Sequence, residues 1–167
     1  WKRFSQTPLE DAVQAAEAAD VVVAVVGITA DLESEESGLE TPGFLKGDRT
    51  SLDLPEAQLK LLEAVKATGK KLVVVSMSGS ALNLAWAQEH ADAVIHAWYP
   101  GEEGGNAIGG VLAGRVNPAG RLPVTFYKDV SQLPPFGDYS MKERTYRYFT
   151  GTPLYPFGYG LSFTHFT

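Results

Sequence analysis

Six carboxyl side chains crowd the segment 31-DLESEESGLETPGFLKGD-48: Asp31, Glu33, Glu35, Glu36, Glu40 and Asp48. They follow no helical or strand period. Like charges at this density repel, and neighbouring negative charge or desolvation raises a carboxyl pKa. A carboxyl kept protonated near neutrality is a proton donor. Cleavage of a glycosidic bond needs such a donor together with a second carboxylate across the bond. The plainer fate of a charge run is a solvated loop, and composition alone favours it.

Other chemistry-bearing residues form weaker constellations. His90, His96 and His165 are isolated and there is no cysteine, so no metal site is expected and no cofactor is implied. The stretch 101-GEEGG is glycine-rich ahead of a helix, but its spacing is wrong for a phosphate cradle and two glutamates would repel an anion. Glu102 and Glu103 suit the positive end of that helix instead. Ser78 and Ser80 lack the spacing of a hydrolase nucleophile turn, and one of them is expected to cap a helix. Arg144 and Arg147 alternate with Tyr146 and Tyr148, a pattern used on single-stranded nucleic acid. In a chain of net charge −6 it reads better as packing that holds the tail to the sheet. The same acidity argues against nucleic acid and anionic membranes as partners.

The elements that must position these groups follow from apolar patterning. Leu9, Val13 and Ala16 give 8-PLEDAVQAAEAAD a helical period. The run 21-VVVAVVG is β-branched without alternation, which predicts a parallel strand buried on both faces. A helix from Pro55 presents Leu59, Leu62 and Val65, with Gly69 as its stop. Strand 72-LVVVSM, helix 80-SALNLAWAQEHAD, strand 93-AVIHAW and a helix from Asn106 to Gly114 follow, then a fourth strand, 122-LPVTFY. The order predicts an α/β fold, a layered α/β/α sandwich with a mainly parallel sheet. Residues 128–167, rich in aromatics, Pro and Gly, read as an extended arm. Ligands of such sheets bind beyond the carboxyl ends of the strands. Three loops lie there: the acidic one, 77-MSGS and 98-WYPGEEGG. Trp98 and Tyr99 could stack on a sugar face there, or serve the core or a domain interface. A flavodoxin-like nucleotide domain is the rival α/β reading, and it lacks an acceptable phosphate loop.

The segment 98-WYPGEEGGNAIGGVLAGRVNPAGRLPVTFY, the stretch 46-KGDRTSLDLP and the ending 154-LYPFGYGLSFTHF together resemble the C-terminal half of glycoside hydrolase family 3 enzymes, the β-glucosidases, β-xylosidases and relatives. The resemblance covers nearly the whole chain. It implies residues 1–167 as most of the α/β sandwich domain, lacking that domain's opening segment. It also implies an N-terminal barrel domain as partner, in the same polypeptide or as a separate chain, carrying an aspartate nucleophile. The substrate would be an oligosaccharide or aryl glycoside. The family's Glu-x-Glu-Gly pattern maps onto 33-ESEE and makes Glu35 the acid/base, with Glu36 second because it occupies the glycine position. Glu33 and Glu40 come behind as proton donors. Glu33 and Trp98 are carried as substrate-binding candidates, and Asp48 and Arg49 as a loop-fixing ion pair. The rival class is a non-catalytic carbohydrate-binding or structural module.

Overall fold

The computed structural model describes residues 9–35, 38 and 40–165. Helix α1 (Leu9–Glu17) leads into strand β1 (Val21–Gly27). A meander of three two-residue strands follows: β2 (Glu40–Thr41), β3 (Phe44–Leu45) and β4 (Asp48–Arg49). Then come α2 (Glu56–Ala67), β5 (Lys71–Met77), α3 (Ala85–His90), β6 (Ala93–His96) and α4 (Gly104–Leu112). Among the described residues the arm carries a 3-10 turn (Val130–Gln132) and a short helix α5 (Thr145–Tyr148).

The main sheet is parallel in the order β1-β5-β6. Successive strands are joined through α2 and α3, the crossover that parallel pairing requires. The valine run is a strand as expected, but it is not buried on both faces. Val21, Val23 and Val25 are about half exposed, whereas Val26 is buried. The reason is topological: β1 is an edge strand here, and only one of its faces meets the core. Central β5 is better covered, with Leu72, Val74 and Val75 fully buried. The core joins Leu72 and Val74 to Leu62 and Val65 of α2, Ala16 of α1 and Ala87 of α3. Gly69 ends the α2 segment at φ 78°, the left-handed conformation that suits glycine.

The acidic segment is not wholly irregular. At the first turn of the meander Pro42 presets the backbone and Gly43 takes φ 89°. At the second, Lys46 and Gly47 both have positive φ, the mirror-image turn that suits strand twist. Phe44 pairs with Arg49, and Leu45 with Asp48. Phe44 is therefore turned inward while Leu45 and Asp48 face out.

The expected fourth strand is absent from the main sheet. Residues 122–126 pair with the arm instead. Leu122 N–H donates to Tyr159 O (2.9 Å), and Phe126 N–H to Tyr155 O (2.9 Å). In return Leu154 N–H donates to Phe126 O (2.8 Å) and Gly158 N–H to Leu122 O (2.8 Å). Phe126 is fully buried, and the Tyr155 hydroxyl donates to Gln88 Oε1 on α3 (2.7 Å). Arg144 does not hold the arm to the sheet. Its guanidinium donates to Ser140 O (3.0 Å) and Asp138 O (2.5 Å), closing a turn within the arm.

Candidate active site

The carboxyl ends of β1, β5 and β6 open onto one edge, and their loops are stitched together there. Ile28 N–H donates to Met77 O (3.0 Å) and Ala97 N–H to Ser76 O (2.8 Å), carrying the strand ladder past the sheet. Gln58 on α2 clamps the end of β1. Gly27 N–H donates to its Oε1 and its Nε2 donates to Gly27 O, both at 2.7 Å. Gly27 lies at φ 140°, and a Cβ built there would stand 1.8 Å from Met77 O. Only glycine fits so close an approach. The acidic loop thus leaves the sheet in a fixed direction.

Its first turn is set by backbone bonds from Leu32 and Glu33 N–H to Thr29 O (3.0 and 3.1 Å). Beyond it, Glu33 is the anchored carboxyl. Oε2 accepts from Gly79 N–H (2.7 Å) and from the Tyr99 hydroxyl. Oε1 accepts from the Ser80 hydroxyl, whose oxygen in turn accepts from Arg49 Nη1 (3.0 Å). One side chain therefore ties the loop after β1 to those after β5 and β6. Each such bond contributes about 0.5–1.5 kcal/mol net. Desolvation, and then the hydrogen bond to Glu33, push the Tyr99 hydroxyl up to about 12, so it stays a donor across the physiological range. Glycine at 79 permits the contact. A Cβ there would lie 2.7 Å from Tyr99 Cε2 and 2.9 Å from Glu33 Oε2.

The other candidates take different places. Glu35 is exposed and makes no side-chain hydrogen bond among the described residues. Glu36 lies outside the described residues. Glu40 stands exposed on β2. Asp48 and Arg49 form no ion pair, because successive strand residues point to opposite faces. Arg49 instead donates from Nε to Ser51 O (2.8 Å), lies 5.4 Å over the Phe44 ring and reaches Ser80. Burial lowers its pKa, and the fields of Glu33 and Asp53 act in the opposite sense. Trp98, at φ 55°, packs edge-on against His96 (4.4 Å) and Phe126 (5.8 Å) at the margin of the core. Neither serine caps a helix. Ser78 donates to Ser80 O (2.7 Å), and α3 begins only at Ala85, whose N–H donates to Asn83 Oδ1 (3.1 Å). Sequence reasoning missed Ser80, Gly79 and the anchoring role of Tyr99; the Ser/Gly turn at a strand end was the available signal.

This is a loop platform at a strand-end edge, displaying the exposed carboxyl of Glu35 beside the bound carboxyl of Glu33. The sequence profile described as Glycosyl hydrolase family 3 C-terminal domain matches residues 2–163. The chain belongs to glycosyl hydrolase family 3. Among family 3 relatives it is 54% identical over 140 residues to a xylan 1,4-beta-xylosidase of Xylanibacter ruminicola, which covers 84% of this chain and 16% of that protein. It is 44% identical over 177 aligned positions to a periplasmic beta-glucosidase of Salmonella typhimurium, covering 99% of this chain and 22% of the relative. The fold superposes on a solved family 3 exo-beta-xylosidase in complex with a xylobiose aziridine probe. The TM-score is 0.82 at 32% identity, over 94% of this chain and 20% of the other. A β-glucosidase of Erythrobacter marinus gives 0.77 at 39% identity, over 94% and 21%. The chain thus spans about a fifth of the length of the proteins it matches, and in them the domain is one part of a longer glycosidase.

Proposed function

We propose that this chain supplies the acid/base loop of a retaining, exo-acting β-glycosidase that releases terminal β-linked xylose or glucose. Glu35 protonates the leaving oxygen and then deprotonates water; Glu36 is the second candidate. The nucleophile is an aspartate of an N-terminal barrel domain, in the same polypeptide or a separate chain. Residues 1–167 belong to the sandwich domain, with 128–167 as an arm packed on it. The observation that carries this reading is the exposed Glu35 two residues beyond the fastened Glu33, on the sheet edge where α/β folds bind ligands. The kinship to a beta-xylosidase and a beta-glucosidase supports the substrate class.

A second wall is required. The cleft lined by Leu54, Leu59, Leu62 and Trp86 holds about 70 Å³, and an open hollow of about 480 Å³ runs along α1 beside Leu9, Val13 and Gln14; both lie off the acidic loop. Small-molecule sites usually enclose about 300–1,000 Å³. Retaining hydrolysis also needs a nucleophile about 5–5.5 Å from the acid, in a water-poor pocket.

The test is Glu35→Ala in the intact enzyme. Turnover of glycosides with poor leaving groups should fall by ~10²–10⁴-fold, substrates with acidic leaving groups should suffer far less, and azide should restore turnover as glycosyl azide. The same signature in Glu36→Ala with a near-normal Glu35→Ala moves the acid by one residue. The 167-residue chain alone should not turn over aryl β-xyloside or β-glucoside until the N-terminal portion is supplied.

A further inference from the structure

We infer that Glu33 is the positioning residue of the acid/base loop, a peg that aims Glu35 rather than a ligand of the sugar. The inference rests on the reading of Glu35 as acid/base and adds what holds it in place. Both Glu33 oxygens are already taken by protein donors: Gly79 N–H at 2.7 Å, the Ser80 hydroxyl and the Tyr99 hydroxyl. These fill three of its roughly four acceptor positions, so a sugar hydroxyl would find at most one open unless it displaced a donor, which would leave the Gly79 N–H or the Ser80 hydroxyl unpaired. The donors come from two different strand-end loops, so the carboxyl sits where three loops converge. Arg49 completes the set through Ser80, and its guanidinium is itself fixed by Ser51 O and the Phe44 ring.

The geometry then propagates by one short step. Glu33 has its backbone bonded to Thr29 O and its side chain bonded across the edge, so the chain at 33 is held at both ends. Glu35 follows after a single intervening residue, Ser34, and its own side chain makes no hydrogen bond among the described residues. A displacement at Glu33 is therefore passed to Glu35. Misplacement of a catalytic group by about 1 Å can cost ~10²-fold in rate.

The experiment compares Glu33→Gln, Tyr99→Phe and Glu35→Ala in the intact enzyme. The readouts are kcat and KM on aryl glycosides of graded leaving-group acidity and the product formed in azide. Glu33→Gln keeps the shape but points an amide N–H₂ at one set of donors. It should lower kcat on poor leaving groups by ~10–100-fold, with KM within about twofold. In azide it should still release free sugar, because the Glu35 carboxyl remains to activate water. Tyr99→Phe removes one tie and should show the same pattern more weakly; it carries the test if Glu33→Gln fails to fold. A KM rise with kcat unchanged would make Glu33 a sugar ligand and overturn the inference. Glycosyl azide from Glu33→Gln but not from Glu35→Ala would make Glu33 the acid/base, and both readings fall. Wild-type kinetics in Glu33→Gln and Tyr99→Phe beside an impaired Glu35→Ala would sink the positioning role alone.

Discussion

At the scale of single residues, two glycines show how the receiving atom decides what a methyl group costs. At Gly79 an added Cβ meets the far end of Glu33 and the Tyr99 ring. Tyr99 is 45% exposed and can swing aside. Gly79→Ala should therefore cost about what the broken bonds to Glu33 contribute, without rearranging the backbone. The expected outcome is a melting temperature lowered by several degrees together with a selective loss on poor leaving groups. An unchanged leaving-group dependence would show that the peg survives the methyl. His96 offers a pH test. Burial among Trp98, Phe126 and Ser76 holds its pKa down at about 4, against an ordinary 6.5. As pH falls below 6.5 the unfolded chain takes the proton first, so stability is lost progressively down to pH 4. His96→Leu should flatten the slope of Tm against pH in that window; an equally steep slope in the variant would assign it to other groups. None of this was legible in the sequence. Glu33 is 46, 47 and 66 residues from Gly79, Ser80 and Tyr99, and a run of carboxyls does not say which one the fold will fasten.

At the scale of elements, apolar periodicity told most of what there was to tell. The valine runs, the α2 stripe and the parallel order are local patterns, and the structure has them. The meander escaped because two-residue strands have no period, although Pro42-Gly43 and Lys46-Gly47 marked both turns. The segment 122–127 has strand chemistry yet pairs with the arm, and pairing partners are not a local property. Burial of β1 was overstated because nothing in a valine run distinguishes an edge strand from a central one. The clamp at the end of β1 makes a prediction at this scale. Gln58→Ala leaves Gly27 N–H and C=O without their side-chain partners. The expected cost is about 1–3 kcal/mol, seen as a Tm lowered by several degrees. A variant melting like wild type would mean that water replaces the clamp without loss. Gly27→Ala should be far more damaging than Gly79→Ala, because its Cβ strikes the backbone of β5, which cannot swing away.

At the scale of the whole molecule, the arm is a structural part of the domain. Tyr155 covers Phe126, stacks on Tyr159 at 5.0 Å and reaches α3 through Gln88. Truncation after Asp138 would strip Phe126 of that cover. Each large buried ring contributes about 1.5–3 kcal/mol, so the truncated protein should melt well below wild type or fail to accumulate in soluble form. Unchanged melting would refute the arm's role. The pairing of 122–126 with 154–159 also bears on how the protein is made. A ribosome delivers Phe126 before its partner exists, and at roughly 5–20 residues per second Tyr155 follows a few seconds later. Through that interval the growing chain shows its rescuers an aromatic cluster with no lid. Nascent chains arrested with Phe126 outside the ribosome and Tyr155 still inside its exit tunnel should be open to protease and bound by chaperones, and those arrested with Tyr159 fully emerged should resist both.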